Sequence, residues 1–215
     1  FKKTRRKWRM YMNKKIIAIM GPSGAGKTTL GKNLSSRLKL IIPKHCTTRE
    51  RRKDDEDGFY RYLTHDIYKQ NLDNNKFLIS SGDGQIVKKE CGNFYGVLKE
   101  DCLAAWEKSD SIVLFVSYKD IETLKKIEQN GLEVDIINLT FKNIEKGMKE
   151  RLIGNKERNQ SPIDINNRIQ IALDDTNKYQ KLLETYAKTI IYTDLLDIEQ
   201  TYQKACTDLT LLKSI

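Results

Sequence analysis

The apolar residues of this chain fall into short continuous runs separated by stretches with helical spacing. KIIAIM at 15–20 is apolar after its lysine and stops at Gly21-Pro22, the pattern of a buried strand ending at a turn. From Lys27 to Leu38 the leucines at 30, 34 and 38 recur every four positions, which predicts an amphipathic helix. Further runs predict strands at 112–118 (IVLFVSY), 134–141 (VDIINLTF) and 189–193 (TIIYT). Helices are predicted at 119–129, 143–153, 163–186 and 197–212, with Pro162 suited to a first helical turn. Strands alternating with helices, several of them apolar throughout, predict a parallel sheet covered on both faces.

Two stretches break that rhythm. Residues 44–96 are polar and read as an inserted subdomain, and 150–168 (ERLIGNKERNQSPIDINNR) read as a polar, basic, mobile flap. Residues 14–213, these two stretches included, are expected to form one domain. Neither long apolar run, 16–20 or 112–116, approaches the roughly 18 residues of a membrane span, so no membrane association is expected.

Charge refines this picture. The net charge is +10, but residues 1–15 hold eight basic residues and no acid, which leaves +2 for the other 200. The body is therefore near neutral, and 1–13 form a basic tail. A solvated tail is the preferred reading, with nucleic-acid contact the less favoured one. No secretory-type apolar stretch follows the tail, and Met10 and Met12 are alternative starts that would remove most of it. Cys46, Cys91, Cys102 and Cys206 show no C-x-x-C spacing, which argues against a zinc site or a disulfide framework and for a reducing, cytoplasmic setting.

The most specific chemical signal is Gly21-Pro22-Ser23-Gly24-Ala25-Gly26-Lys27-Thr28-Thr29, which fits G-x-x-x-x-G-K-[ST] between a strand and a helix. Its glycines allow backbone N–H groups to close around an anion, and the following helix points its positive end there. Lys27 suits the β- and γ-phosphates of a nucleotide, and the Thr28 hydroxyl suits Mg²⁺. This makes the expected fold a P-loop NTPase-type three-layer α/β/α architecture. A GTPase is excluded, because Asp54–Gly58 and Asn155–Arg158 do not complete D-x-x-G and N-K-x-D. Downstream, Arg49 and Arg52 are three apart, a spacing that can clamp a second phosphate, and tyrosines follow them.

With Thr47-Thr48-Arg49-Glu-Arg-Arg52, Gly58, Tyr60-Arg-Tyr62, Gly92-Asn93-Phe-Tyr95-Gly96, Arg151-Leu152, Arg158 and Arg168-Ile-Gln-Ile-Ala172 in order, the sequence resembles the guanylate kinases over about 14–195. The resemblance implies transfer of the ATP γ-phosphate to GMP, with 44–96 binding the acceptor and 150–168 serving as lid. It implies that Arg49 and Arg52 hold the acceptor phosphate, helped by Tyr60 and Tyr95. Lys27 would bridge the donor phosphates, residues 21–29 would cradle ATP with Mg²⁺ on Thr28, and Arg151, Arg158 and Arg168 would close over the transferring group.

Departures cluster at base recognition. His45 stands where the family has Ser, Val97 where it has a hydroxyl, and Leu114-Phe-Val-Ser117 where it has L-D-I-D. His45 is taken as a substrate contact, and Asp83 or Glu90 as the base-reading carboxylate. Another nucleotide or a ribose phosphate as acceptor, and a non-catalytic binding module of the same fold, are the alternatives. Retention of Lys27, Thr28, Arg151 and Arg168 speaks against the binding module.

Overall fold

A computed structural model describes residues 13–53, 55–82, 92–154 and 161–211. Apart from Asn13, the basic tail lies outside these residues. The main sheet is parallel, with strand β1 (Lys15–Met20) between β6 (Ser111–Phe115) and β7 (Glu133–Thr140), and β8 (Thr189–Tyr192) beyond β7. A bridge from Ile41 to Ile112 extends the β6 edge.

The alternation of side chains along β1 explains the layers. Ile16, Ala18 and Met20 point into one core. It is filled by Trp106 from α3 (Lys99–Trp106), Leu124 and Ile127 from α4 (Ile121–Gln129), and Leu183 from the end of α6 (Pro162–Tyr186). Ile17 and Ile19 point into the other core. There they meet Leu30 and Leu34 of α1 (Lys27–Leu38), Met148 and Leu152 of α5 (Ile144–Gly154), Ile165 and Ile169 of α6, and Ala205 of α7 (Ile198–Asp208). Helix α6 thus contributes to both cores from its opposite ends. Among the described residues no helix is long and apolar enough to cross a membrane.

The expected strands and helices are present, with ends moved by a few residues. Strand β6 stops at Phe115 because Ser117 opens a capped turn, its N–H and hydroxyl both donating to Asp120 Oδ2 at 2.7 and 2.9 Å. The insertion has more structure than its polar composition predicts. It builds a second sheet in the order β3 (Tyr60–Tyr62), β2 (His45–Thr47), β5 (Tyr95–Leu98), β4 (Phe77–Ser80), with helix α2 (His65–Asp73) beside it. Its own small core is Cys46, Tyr68, Phe77, Phe94 and Leu98. Leu78, Ile79 and Val97 belong instead to the main core, so this sheet is joined to the body by packing as well as by its two chain connections.

Candidate active site

Strand β1 delivers the Gly21–Thr28 loop to the carboxyl edge of the parallel sheet, where ligands of open α/β folds sit. Gly21 has φ 141°, and a Cβ there would lie 2.0 Å from Leu139 O. Only glycine allows that approach. Gly24, at φ 80°, lies beneath Arg151, whose Cβ would be 3.1 Å from an added methyl. Helix α1 begins after Gly26 with no side-chain cap and no acidic residue in its first turn. Ala25 N–H turns back to Pro22 O at 3.3 Å, while the N–H groups of Ser23, Gly24 and Gly26 meet no acceptor among the described residues. Uncapped amides at a positive helix end form an anion cradle. Lys27 Nζ folds over it, donating to Gly21 O and Pro22 O at 2.7 and 2.8 Å. Thr28 and Thr29 are exposed at the helix start.

The second cationic centre is Arg49, only 7% exposed although it is an arginine. Its guanidinium lies over the rings of Tyr60 and Tyr62, 4.8 and 5.9 Å from their centroids. Burial alone would lower its pKa, but the bond to Asp55, its charge, and the nearby Tyr95 and Tyr60 raise it, so it is fully cationic. Tyr60 is pushed up by burial, against the pull of Arg49. Strand pairing explains the grouping: Thr47 lies between Tyr62 and Tyr95, and His45 between Tyr60 and Val97. Tyr95 is held by its backbone, its N–H donating to Ser81 Oγ at 2.8 Å and its carbonyl accepting from the Tyr68 hydroxyl at 2.7 Å. Arg52 contributes its N–H to Asp55 Oδ2 at 2.8 Å, and its side chain makes no ion pair among the described residues.

A run of contacts joins this centre to the phosphate loop. Tyr60 packs edge-on to Phe59 at 4.8 Å, and Phe59 stacks on Phe115 at 5.7 Å. The Phe115 ring rests on Gly31 of α1, where an added Cβ would lie 2.5 Å from it. Lys32 of α1 pairs with Glu56 of the arginine loop at 2.5 Å. Both cationic centres are therefore tied to the same helix.

Of the arginines expected in the lid, Arg151 on α5 donates to Thr193 O at 3.1 Å, beside the phosphate loop. Arg168 is half-buried on α6. Residues 150–154 and 162–168 are helical rather than a polar flap, because Leu152, Ile165 and Ile169 are buried in the same core as Ala25 and Leu30. Arg158 lies outside the described residues, as do Asp83 and Glu90.

His45 is a correction. It is 5% exposed, and both ring nitrogens are used by backbone. Phe115 N–H donates to Nε2 at 3.0 Å, so Nε2 carries no proton, and Nδ1–H donates to Pro43 O at 2.9 Å. The ring thus links β6 to β2 and has no nitrogen left for a ligand. Burial lowers its pKa to about 4. The unfolded chain, titrating near 6.5, then binds more protons than the folded one between those values. This contribution to stability is complete above pH 6.5 and is lost as pH falls towards 4, by about 3 kcal/mol in all. Thermal melts should show that loss in the native chain, and a shallower one in His45→Gln, which is destabilised already at neutral pH. Equal slopes would contradict the assignment.

The carboxylate that sequence reasoning missed is Asp55, which pairs with Arg49 through both oxygens at 2.6 Å. The acidic run after the arginines was its only signal.

The guanylate kinase family model matches residues 13–207. The chain belongs to the guanylate kinase family. A guanylate kinase from Clostridium acetobutylicum is 32% identical over 147 residues, 66% of this chain and 65% of that protein. One from Fusobacterium nucleatum is 25% identical over 195 residues, 90% of this chain and 92% of that protein. The match thus spans slightly under two thirds of the first relative and nearly all of the second. The crystal structure of guanylate kinase from Anaplasma phagocytophilum has the same fold, with a TM-score of 0.61 and 16% identity over 94% of this chain and 88% of that one.

Proposed function

We propose that this guanylate kinase family member transfers the γ-phosphoryl group of ATP to the phosphate of GMP, giving ADP and GDP. The observation that carries this reading is that two cationic centres are tied by contacts to one helix. One is the amide cradle with Lys27. The other is buried Arg49 among Tyr60, Tyr62 and Tyr95, reached through Phe59 and Phe115.

In-line transfer between phosphates needs alignment and charge neutralisation more than a base. Lys27 moves from its loop carbonyls to the donor phosphates. Arg49, with Arg52, Tyr60 and Tyr95, holds the acceptor phosphate. Arg151 stands over Gly24 and reaches the transferring group, with Arg168 and Arg158 completing the lid and excluding water. Mg²⁺ is bound chiefly by substrate phosphates and waters and needs few protein oxygens, so the exposed Thr28 hydroxyl at the uncapped helix start fits it. The ion would neutralise charge on the β- and γ-oxygens. Cys46, Cys102 and Cys206 are free and buried, which supports a cytoplasmic setting.

A second acceptor is favoured by one feature. Val97 is buried in the core and the Ser117 hydroxyl is spent on Asp120, so neither offers a bond to a base. An ADP-release assay across GMP, dGMP, AMP, CMP, UMP and ribose 5-phosphate tests both readings. The expected order puts GMP first by roughly tenfold or more in kcat/KM. No turnover with any acceptor at high enzyme concentration would reject the transferase reading.

A further inference from the structure

Asp55 takes no part in the transfer just described, yet it is the main partner of Arg49. A guanidinium has five N–H groups in a fixed plane. Nη1 and Nη2 of Arg49 each give one to Asp55, end-on, at 2.6 Å, and Nη1 gives another to Glu50 O at 2.9 Å. Nε–H and the second Nη2–H go to no carboxylate or carbonyl among the described residues, and the Tyr60 hydroxyl lies within hydrogen-bonding reach of the guanidinium. These two N–H groups project along one edge of the plane, the fork that matches two oxygens of a phosphate. The Tyr60 ring packs against the guanidinium and fixes its tilt.

Asp55 is itself held firmly. Its carboxylate is 7% exposed and also accepts from Arg52 N–H at 2.8 Å and the Tyr62 hydroxyl at 2.7 Å. Hydrogen bonding from Arg49 keeps its carboxyl well below the ordinary range, so it stays ionised. Because Asp55 occupies the end of the guanidinium and not the Nε edge, an incoming phosphate need not displace it.

We propose that Asp55 is a positioning residue, which with Glu50 O holds the far end of the Arg49 guanidinium so that the Nε–Nη2 edge is presented to the acceptor phosphate beside Tyr60 and Tyr95. The inference rests on the reading of Arg49 as the acceptor-phosphate clamp. A guanidinium ordered before binding spares the acceptor the loss of rotamer freedom that a loose one would impose.

The test compares the native chain with Asp55→Asn and with the milder Tyr62→Phe, which leaves the ion pair in place. GMP binding is measured by calorimetry, KM for GMP and ATP by steady-state kinetics, and the Arg49 Nε–H by NMR without ligand. Asp55→Asn is expected to weaken GMP binding and raise its KM roughly tenfold or more, with the ATP KM changed by no more than about twofold. Its Nε–H signal, expected to be sharp in the native chain, should broaden. Tyr62→Phe should weaken GMP by about two- to threefold, and it carries the test if Asp55→Asn does not fold. Unchanged or tighter GMP binding in Asp55→Asn, or unchanged binding in Tyr62→Phe should Asp55→Asn fail to fold, would overturn the positioning role while leaving the clamp intact. A parallel rise in both KM values would reduce Asp55 to a purely structural residue and overturn it too. A native chain that binds no nucleoside monophosphate, its Nε–H still sharp, would overturn the clamp reading beneath the proposal and the proposal with it.

Discussion

Lys27→Ala is expected to lower kcat by roughly 10³-fold or more, the size of effect seen when one preorganised charge is removed from a phosphoryl-transfer site. Lys27 Nζ bridges Gly21 O and Pro22 O of its own loop. Removing it leaves the positive φ of Gly24 and Gly26 and the buried face of α1 untouched, so the melting temperature should stay within a few degrees. The acceptor KM should change little, because the proposed acceptor clamp is Arg49 and not Lys27. The measurement is steady-state turnover beside a thermal melt. Full activity in a folded variant would remove Lys27 from the mechanism.

Arg49→Ala should have two separable effects. It leaves the Asp55 carboxylate buried without its countercharge, a change that costs about 3–5 kcal/mol of stability. It also removes the proposed phosphate fork, so the acceptor KM should rise by roughly 10²-fold while the ATP KM stays near its native value. Arg49→Lys separates them. An ammonium keeps the charge opposite Asp55 and recovers much of the stability, but it cannot form a planar fork, so the acceptor KM should remain raised roughly tenfold. The stability part depends on pH in a fixed direction. Arg49 depresses the Asp55 pKa, so this contribution is present above about pH 4 and is lost as pH falls below it. The gap between native and Arg49→Ala melting temperatures should therefore narrow in acid. Equal acceptor KM values in the native and lysine proteins would contradict the clamp.

The parallel sheet was legible because its strands are buried on both faces, which makes them apolar runs such as KIIAIM. The phosphate loop was legible because its backbone geometry restricts residue choice at Gly21 and Gly24. The insertion was not. Its strands β2 and β3 are three residues long and mix His45, Tyr60 and Arg61 with Cys46, so no period stands out. Helix α2 carried one readable sign, Thr64, whose hydroxyl caps Ile67 N–H at 3.2 Å. The lid stretch read as a flap because its charged residues outnumber Leu152 and Ile165, the two that bury it.

At the site itself, the arginines and tyrosines were legible as a set, but their partners were not. Position in a motif placed His45 at the acceptor and could not show that Phe115 and Pro43 take both its nitrogens. Asp55 is one acid among four at 54–57, and nothing in that run singles it out. Its burial follows from the loop folding back on Arg52 and Tyr62, a tertiary effect with no local signature.

The claim on which the whole account turns is that the donor and acceptor phosphates occupy one continuous cleft. A dinucleotide joining adenosine and guanosine through a pentaphosphate chain measures this directly, since it can fill both centres only if they face each other. Its affinity, titrated by calorimetry, should exceed that of ATP or GMP alone by roughly 10²-fold or more, and both Lys27→Ala and Arg49→Ala should abolish the gain. An affinity no better than that of ATP, insensitive to Arg49→Ala, would mean that the two centres do not share a cavity and that direct transfer between them is wrong.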